Sequence, residues 1–250
     1  MRIAILTSSY PAAPGDPSGH FVRSEALALA ERGHQVAVFA PGPRSGREPG
    51  NPRLHWIGSG SSFGWPGVMA RLADKPWRLF GIARFMTRAA RQLRDQGPFE
   101  RVVAHWLVPC AWPLAAELVT PAGLEAVAHG SDVQLLERLP RAITRRVTRA
   151  LLASGASLRC VSEELAERLL ALEPALGPAV RVEPCALDLS GAIERSAARA
   201  QLHHETRPLC VVVARLVEGK RVAVALSAAR LLPAVRSVVI GDGPLRAELE

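Results

Sequence analysis

The sequence predicts an α/β protein, a parallel sheet with helices on both faces, followed by the start of a second unit of the same kind. Three observations predict it. Apolar runs of four to six residues recur along the 250-residue chain, separated by stretches of helical periodicity. Most of these runs are continuously apolar, as in strands buried on both sides. The chain ends on SVVIGDGPLRAELE, a strand, a glycine turn and a helix start, which is the opening of a βα unit.

RIAILT (2–7) is the first strand, and a helix runs from about Phe21 to Arg32 until Gly33 and His34 end it. QVAVFA (35–40) is the next strand. Pro41 to Pro52, rich in Pro, Gly and Arg, is predicted as a polar surface loop, and Arg53 to Ile57 as a third strand. Asp74 and Pro76 mark the start of a helix extending to Gln96. RVVAHW (101–106), EAVAH (125–129), SLRCV (157–161) and VRVEP (180–184) follow as strands, with helices between them. The pattern loosens over 185–208. LCVVVA (209–214), a helix over about 220–232 and SVVIG (237–241) then begin the second unit. The predicted division is 1–186 and 187–250.

Composition narrows the function classes. No apolar run approaches the ~20 residues of a membrane span. The N-terminus lacks the long apolar core and cleavage site of a signal peptide, so a cytoplasmic protein is expected. The cysteines, Cys110, Cys160, Cys185 and Cys210, are far apart and form no zinc-type cluster; buried reduced thiols are expected. The net charge is +8, and much of the excess sits between Arg71 and Arg94, where seven basic residues meet one acid, Asp74. GSGSSFG (58–64) misses the GxGxxG spacing and reads as a flexible loop. Gly219-Lys220 lacks the rest of a phosphate-binding loop. The first strand leads into a loop with Gly15 and Gly19 and then a helix, a place where backbone N–H groups favour an anion and glycine admits a ligand close to the main chain.

Four segments taken in order are more specific: AHGSD (128–132), CVSEEL (160–165), ARLVEGKR (214–221) and IGDGP (240–244). Together with SGHFVRSEALALAERGHQVAVF (18–39), they resemble the family 4 glycosyltransferases, retaining enzymes of the GT-B fold with two Rossmann-like domains. The resemblance covers essentially the whole chain. The linker, Pro184-Cys185-Ala186-Leu187-Asp188, departs from the family's PnGvD by lacking its Asn and Gly. The resemblance also implies about 100 further residues, completing the second sheet and carrying an acidic E-x7-E motif. A fragment, or a protein without the standard donor site, is therefore expected.

The resemblance implies transfer of a sugar from a nucleotide-diphosphate sugar, with retention at the anomeric carbon; a lipid-linked or cell-envelope glycan is the acceptor expected, no cofactor is expected, and no metal is, because no carboxylate pair is placed to hold a diphosphate-bound cation. His129 would be the catalytic side chain, beside the donor sugar. Gly19, Arg215, Lys220, Gly241 and Gly243 would bind the donor. The two cations would face the departing phosphate, where fixed positive charge lowers the barrier most. His20, His105, Trp106, Ser131 and Asp132 are candidates on the acceptor side. For His129 a hydrogen-bonded core histidine is the competing reading.

Residues 76–95 form an amphipathic helix. Leu79, Ile82, Ala83, Met86, Ala90 and Leu93 make an apolar stripe flanked by Trp77, Phe80 and Phe85, and Arg84, Arg88, Arg91 and Arg94 make a basic one. Such a helix suits an anionic membrane surface, with Trp77, Arg84, Arg88 and Arg91 as contacts. A core-packed helix with a solvated arginine face competes. A non-catalytic nucleotide-sugar or lipid-binding protein and a GT-B-like sugar-nucleotide epimerase remain alternatives. Nucleic acid is not expected as a partner, because no recognisable binding module accompanies the charge.

Overall fold

The computed structural model describes all residues except 14, 17, 43, 65–66, 117–122, 187–190 and 202–206. Leu187 and Asp188 of the linker motif therefore lie outside the described residues. The chain divides into two units, Met1–Asp188 and Leu189–Glu250.

The first unit runs β1 (Arg2–Leu6), α1 (His20–Glu31), β2 (Gln35–Gly42), β3 (Gly46–Glu48), β4 (Arg53–Gly58), α2 (Val68–Asp74) and α3 (Leu79–Gln96). It continues through β5 (Arg101–His105), α4 (Trp112–Ala116), β6 (Leu124–Ala128), α5 (Ser131–Arg138), α6 (Arg141–Ala153), β7 (Ser157–Cys160), α7 (Glu163–Leu172) and β8 (Val180–Val182). One eight-stranded sheet forms in the order β3-β4-β2-β1-β5-β6-β7-β8. Every pairing is parallel except β3 with β4. The predicted buried parallel sheet is thus present. From β1 the order runs outward through β2 and β4 on one side and through β5 to β8 on the other. The seam between β1 and β5 is a topological switch point, where the carboxyl ends of the strands flank a crevice.

Alternate residues of β1 feed two cores. Ala4 and Leu6 join Phe85, Ala89, Leu93, Val147, Leu151 and Leu169 from the helices of one face. Ile3 and Ile5 join Val22 and Ala26 of α1 on the other, with Val38, Val103 and Val127.

Several details differ from expectation. The predicted loop 41–52 contains structure: Pro41 and Gly42 extend β2, and Gly46–Glu48 pairs antiparallel with β4. Glu48 fastens this edge by accepting a hydrogen bond from Trp56 Nε1 at 2.6 Å. Asp74 ends α2 instead of starting the long helix, and its carboxylate pairs with Arg78 at 3.0 Å. A 3₁₀ turn, Pro76–Arg78, precedes α3. On α3 the buried stripe is Ile82, Phe85, Ala89, Ala90 and Leu93, with Phe85 central and Leu79 exposed. The GSGSSFG segment is packed. Ser59, Ser62 and Phe63 are buried, Phe63 sits 4.8 Å from Phe85, and Ser62 Oγ lies 1.9 Å from where a Cβ on Gly81 would sit. Of the cysteines, Cys110 and Cys160 are buried, but Cys185 is half-buried and Cys210 is exposed. Among the described residues no helix is long and apolar enough to cross a membrane.

The second unit holds α8 (Arg195–Gln201), β9 (Leu209–Val213), α9 (Val222–Arg230), β10 (Arg236–Ile240) and α10 (Arg246–Leu249), with β9 and β10 paired in parallel. The turns after its two strands are laced together. Ala214 N donates to Ile240 O at 3.1 Å, and Leu216 N donates to Asp242 O at 2.9 Å.

Candidate functional site

The carboxyl ends of β1, β5 and β6 deliver the residues singled out in the first unit. After β1 the chain passes through a loop to Gly19, whose φ is +61°. A Cβ there would lie 2.1 Å from Ser9 O, so only glycine fits. The close approach that requires glycine here is made by the chain's own backbone. Gly19 O accepts from the N–H groups of Val22 and Arg23, which starts α1 and places Phe21 and Glu25 on one face, four residues apart. His20 is exposed, and its ring lies edge-on to Phe21 at 5.6 Å.

β5 ends on His105, which is 0% exposed. Expected on the acceptor side, it has no surface on which to meet an acceptor. Trp106 follows with φ +72°, a conformation costly for a bulky residue, and its ring packs 4.6 Å from that of His129. β6 ends on Ala128, and His129 and Gly130 turn into α5. Asp132 at the start of α5 is 2% exposed. Its carboxylate accepts from Leu107 N (2.8 Å), His129 N (3.1 Å), Gly130 N (2.9 Å) and Val133 N (3.0 Å). It therefore clamps the β5 and β6 turns together, and its oxygens serve backbone donors. Burial raises the Asp132 pKa, and these donors oppose the rise. Ser131 is exposed beside it.

His129 lies in a cluster of rings, with Phe21 at 4.9 Å and His105 stacked at 5.2 Å. His105 Nδ1 and His129 Nε2 are 2.9 Å apart, and Cys185 Sγ lies 3.8 Å from His129 Nδ1. Burial, joined by the charge of Arg159, lowers the His129 pKa to about 3. His105 is held well below the usual range by burial, then by His129 and Arg159. Both imidazoles are therefore neutral at physiological pH.

Behind the histidines runs a buried ionic network. Glu25 Oε2 lies 3.8 Å from His105 Nε2, and Arg159 Nη2 meets both Glu25 oxygens at 2.7 Å. Arg159 also pairs with Glu125 at 3.0 Å and Glu183 at 3.7 Å. Arg101 and Arg181 complete the neutralisation of Glu125. Burial raises the Glu25 pKa against Arg159. For Glu125, burial pushes upward, but Arg101, Arg159 and Arg181 prevail and its pKa is lowered. Sequence reasoning missed Phe21, Glu25, Glu125 and Arg159. The signal was a charge inside an apolar pattern: Glu25 beside Val22 and Ala26, Glu125 within LEAVA, and Arg159 within SLRC.

In the second unit, Arg215 is exposed in the turn after β9, and Lys220 is exposed at the end of a 3₁₀ turn, Glu218–Lys220. A Cβ on Gly241 would lie 1.8 Å from Ala214 O, and one on Gly243 2.4 Å from Leu216 O. These glycines, expected at the donor, are required by the lacing of the two turns.

On the outside of the first unit, Trp77 (63%), Leu79 (59%) and Phe80 (80%) are exposed. Arg84 and Arg91 are exposed on the same helix, while Arg88 is half-buried and donates to Gly58 O at 3.5 Å. Among the described residues no three His, Cys, Asp or Glu side chains are grouped to hold a metal ion.

The family model for Glycosyltransferase Family 4 matches residues 18–190. The fold matches solved glycosyltransferase structures. The chain is similar to sucrose-phosphate synthase from Thermosynechococcus elongatus (TM-score 0.69, 19% identity, 99% of this chain and 65% of that one). It is also similar to the catalytic domain of starch synthase IV from Arabidopsis thaliana bound to ADP and acarbose (0.61, 16%, 97% and 68%). A third is WaaG, a glycosyltransferase involved in lipopolysaccharide biosynthesis (0.58, 17%, 99% and 65%). This chain thus spans 65% of the length of the first and third. No curated protein matches it in sequence.

Proposed function

The chain belongs to glycosyltransferase family 4, and from that premise we propose that its protein moves a sugar, with retention, from a nucleotide-diphosphate sugar to a lipid-linked or cell-envelope glycan. The observation that carries this reading is His129. It stands in the turn directly after β6, next to the switch point, as a neutral imidazole among Trp106 and Phe21 with its backbone clamped by Asp132. In a retaining transfer the glycosyl bond opens toward an oxocarbenium-like centre while negative charge grows on the leaving phosphate. His129 faces the sugar and orients its hydroxyls. Trp106 and Phe21 supply apolar ring surface for the sugar and exclude water. Arg215 and Lys220 supply the charge that stabilises the leaving diphosphate. Gly241 and Gly243 act indirectly, by letting the two turns of the second unit sit together.

The exposed Trp77, Leu79 and Phe80 beside Arg84 and Arg91 support a lipid-linked acceptor approached at an anionic, cytoplasmic-side membrane surface. The test is release of nucleoside diphosphate from a panel of nucleotide sugars, with and without membrane extract as acceptor. The reading expects release that depends on both. Binding of nucleotide sugars with no turnover under any acceptor would replace it with a binding protein of the same fold.

A further inference from the structure

We propose that Glu25, acting through His105, fixes the tautomer of His129, so that His129 Nε2 carries the proton and Nδ1 is the acceptor. Arg159 donates to both oxygens of Glu25 at 2.7 Å, which holds a negative charge 3.8 Å from His105 Nε2. His105 is wholly buried, and its Nε2 has no hydrogen-bond partner among the described residues. The separation is too long for a hydrogen bond, so the interaction is between a charge and a ring dipole. A neutral imidazole has one N–H and one lone pair. Placing the lone pair toward the carboxylate is repulsive, and placing the N–H there is attractive. His105 is therefore protonated on Nε2, and its Nδ1 is an acceptor.

That acceptor lies 2.9 Å from His129 Nε2. Two lone pairs do not meet at this distance, so His129 Nε2 carries the proton and donates it. The remaining nitrogen, Nδ1, is unprotonated and faces the Cys185 thiol at 3.8 Å, whose S–H is a weak donor. Glu25 and His105 are positioning residues in this scheme. Its catalytic consequence rests on the transferase reading: a sugar hydroxyl that displaces the weak Cys185 contact meets an acceptor, not a donor, at His129 Nδ1. The tautomer itself does not rest on that reading.

The experiment is a two-bond proton–nitrogen correlation spectrum of the chain with nitrogen-15 histidine, without donor or acceptor, with His129 assigned by comparison with His129→Gln. The expected wild-type pattern is a single tautomer, protonated Nε2 and unprotonated Nδ1, for both His129 and His105. In His105→Phe, His129 loses its acceptor, and its two nitrogens move toward averaged shifts. In Glu25→Gln, the averaging appears first at His105. A wild-type His129 protonated on Nδ1 overturns the proposal, as does an unchanged His129 pattern in folded His105→Phe. A folded Glu25→Gln that leaves both histidine patterns unchanged overturns it as well, and Glu25→Ala serves the same comparison if Glu25→Gln does not fold. Absence of glycosyl transfer by the whole protein would instead overturn the transferase reading and leave the spectra to judge this one.

Discussion

At the scale of single residues, the chemistry of the site is set by charges that no surface shows. Burial and Arg159 bring the His129 pKa to about 3, so His129 stays neutral across pH 5–8, and an NMR titration should show no inflection for it there. The sign of the linked stability follows. The unfolded chain takes up a proton near pH 6.5 and the folded His129 does not, so its contribution is complete above pH 6.5 and falls as pH drops toward about 3. Between pH 6.5 and about 4.5 the loss is about 2–3 kcal/mol. Glu25, with its raised pKa, works in the opposite direction. The clean measurement is thus the difference in urea-unfolding free energy between wild type and His129→Gln across that range; a constant difference would contradict the assignment. Arg159→Met leaves Glu25 and part of Glu125 buried without their partner and should cost about 3–5 kcal/mol by urea unfolding. A loss within about 0.5 kcal/mol would show the network to be inconsequential for stability. The two histidines were legible in the sequence because each stands at the end of an apolar strand. Glu25 and Arg159 were not, because their pairing joins residues 134 apart and only the sheet order brings α1 over β7.

At the scale of elements, α3 and the 3₁₀ turn before it make the exposed apolar and basic surface. Anionic vesicles should pull down the protein in low salt, and Trp77→Ala with Phe80→Ala should reduce binding by 10-fold or more, an expectation of ~1.4 kcal/mol or above. Equal binding by wild type and the double variant would assign this face to something other than lipid. Gly19→Ala at the start of α1 should destabilise the first unit, since its Cβ meets Ser9 O at 2.1 Å; an unchanged urea midpoint would contradict that packing. Strands were the legible elements, because burial on both faces writes continuous apolar runs. The edge strand β3 was not, because Gly-Arg-Glu is exposed throughout and its pairing is carried by backbone groups and the Glu48–Trp56 bond. The start of α3 was misplaced because the same Asp-Lys-Pro sequence that announces a helix also ends one.

At the scale of the molecule, ordered motifs identified the family and the fold, whereas the part each residue takes in the site came from the strand order. β1, β5 and β6 gather Gly19, His105 and His129 from 111 positions of sequence at one switch point. Within the motifs, several residues also have framework roles: Gly19, Gly241 and Gly243 for backbone approach, Asp132 for a clamp and His105 for support. His129 remains as the side chain expected to meet the donor sugar, and sugar transfer should depend on its imidazole. The direct measurement is the rate of donor-dependent transfer by the whole protein and by its His129→Ala variant, with donor binding and thermal unfolding followed in parallel. The expected result is a fall in kcat of about 100-fold or more, with donor binding largely kept and the fold intact. Wild-type kcat in a folded His129→Ala variant would contradict it.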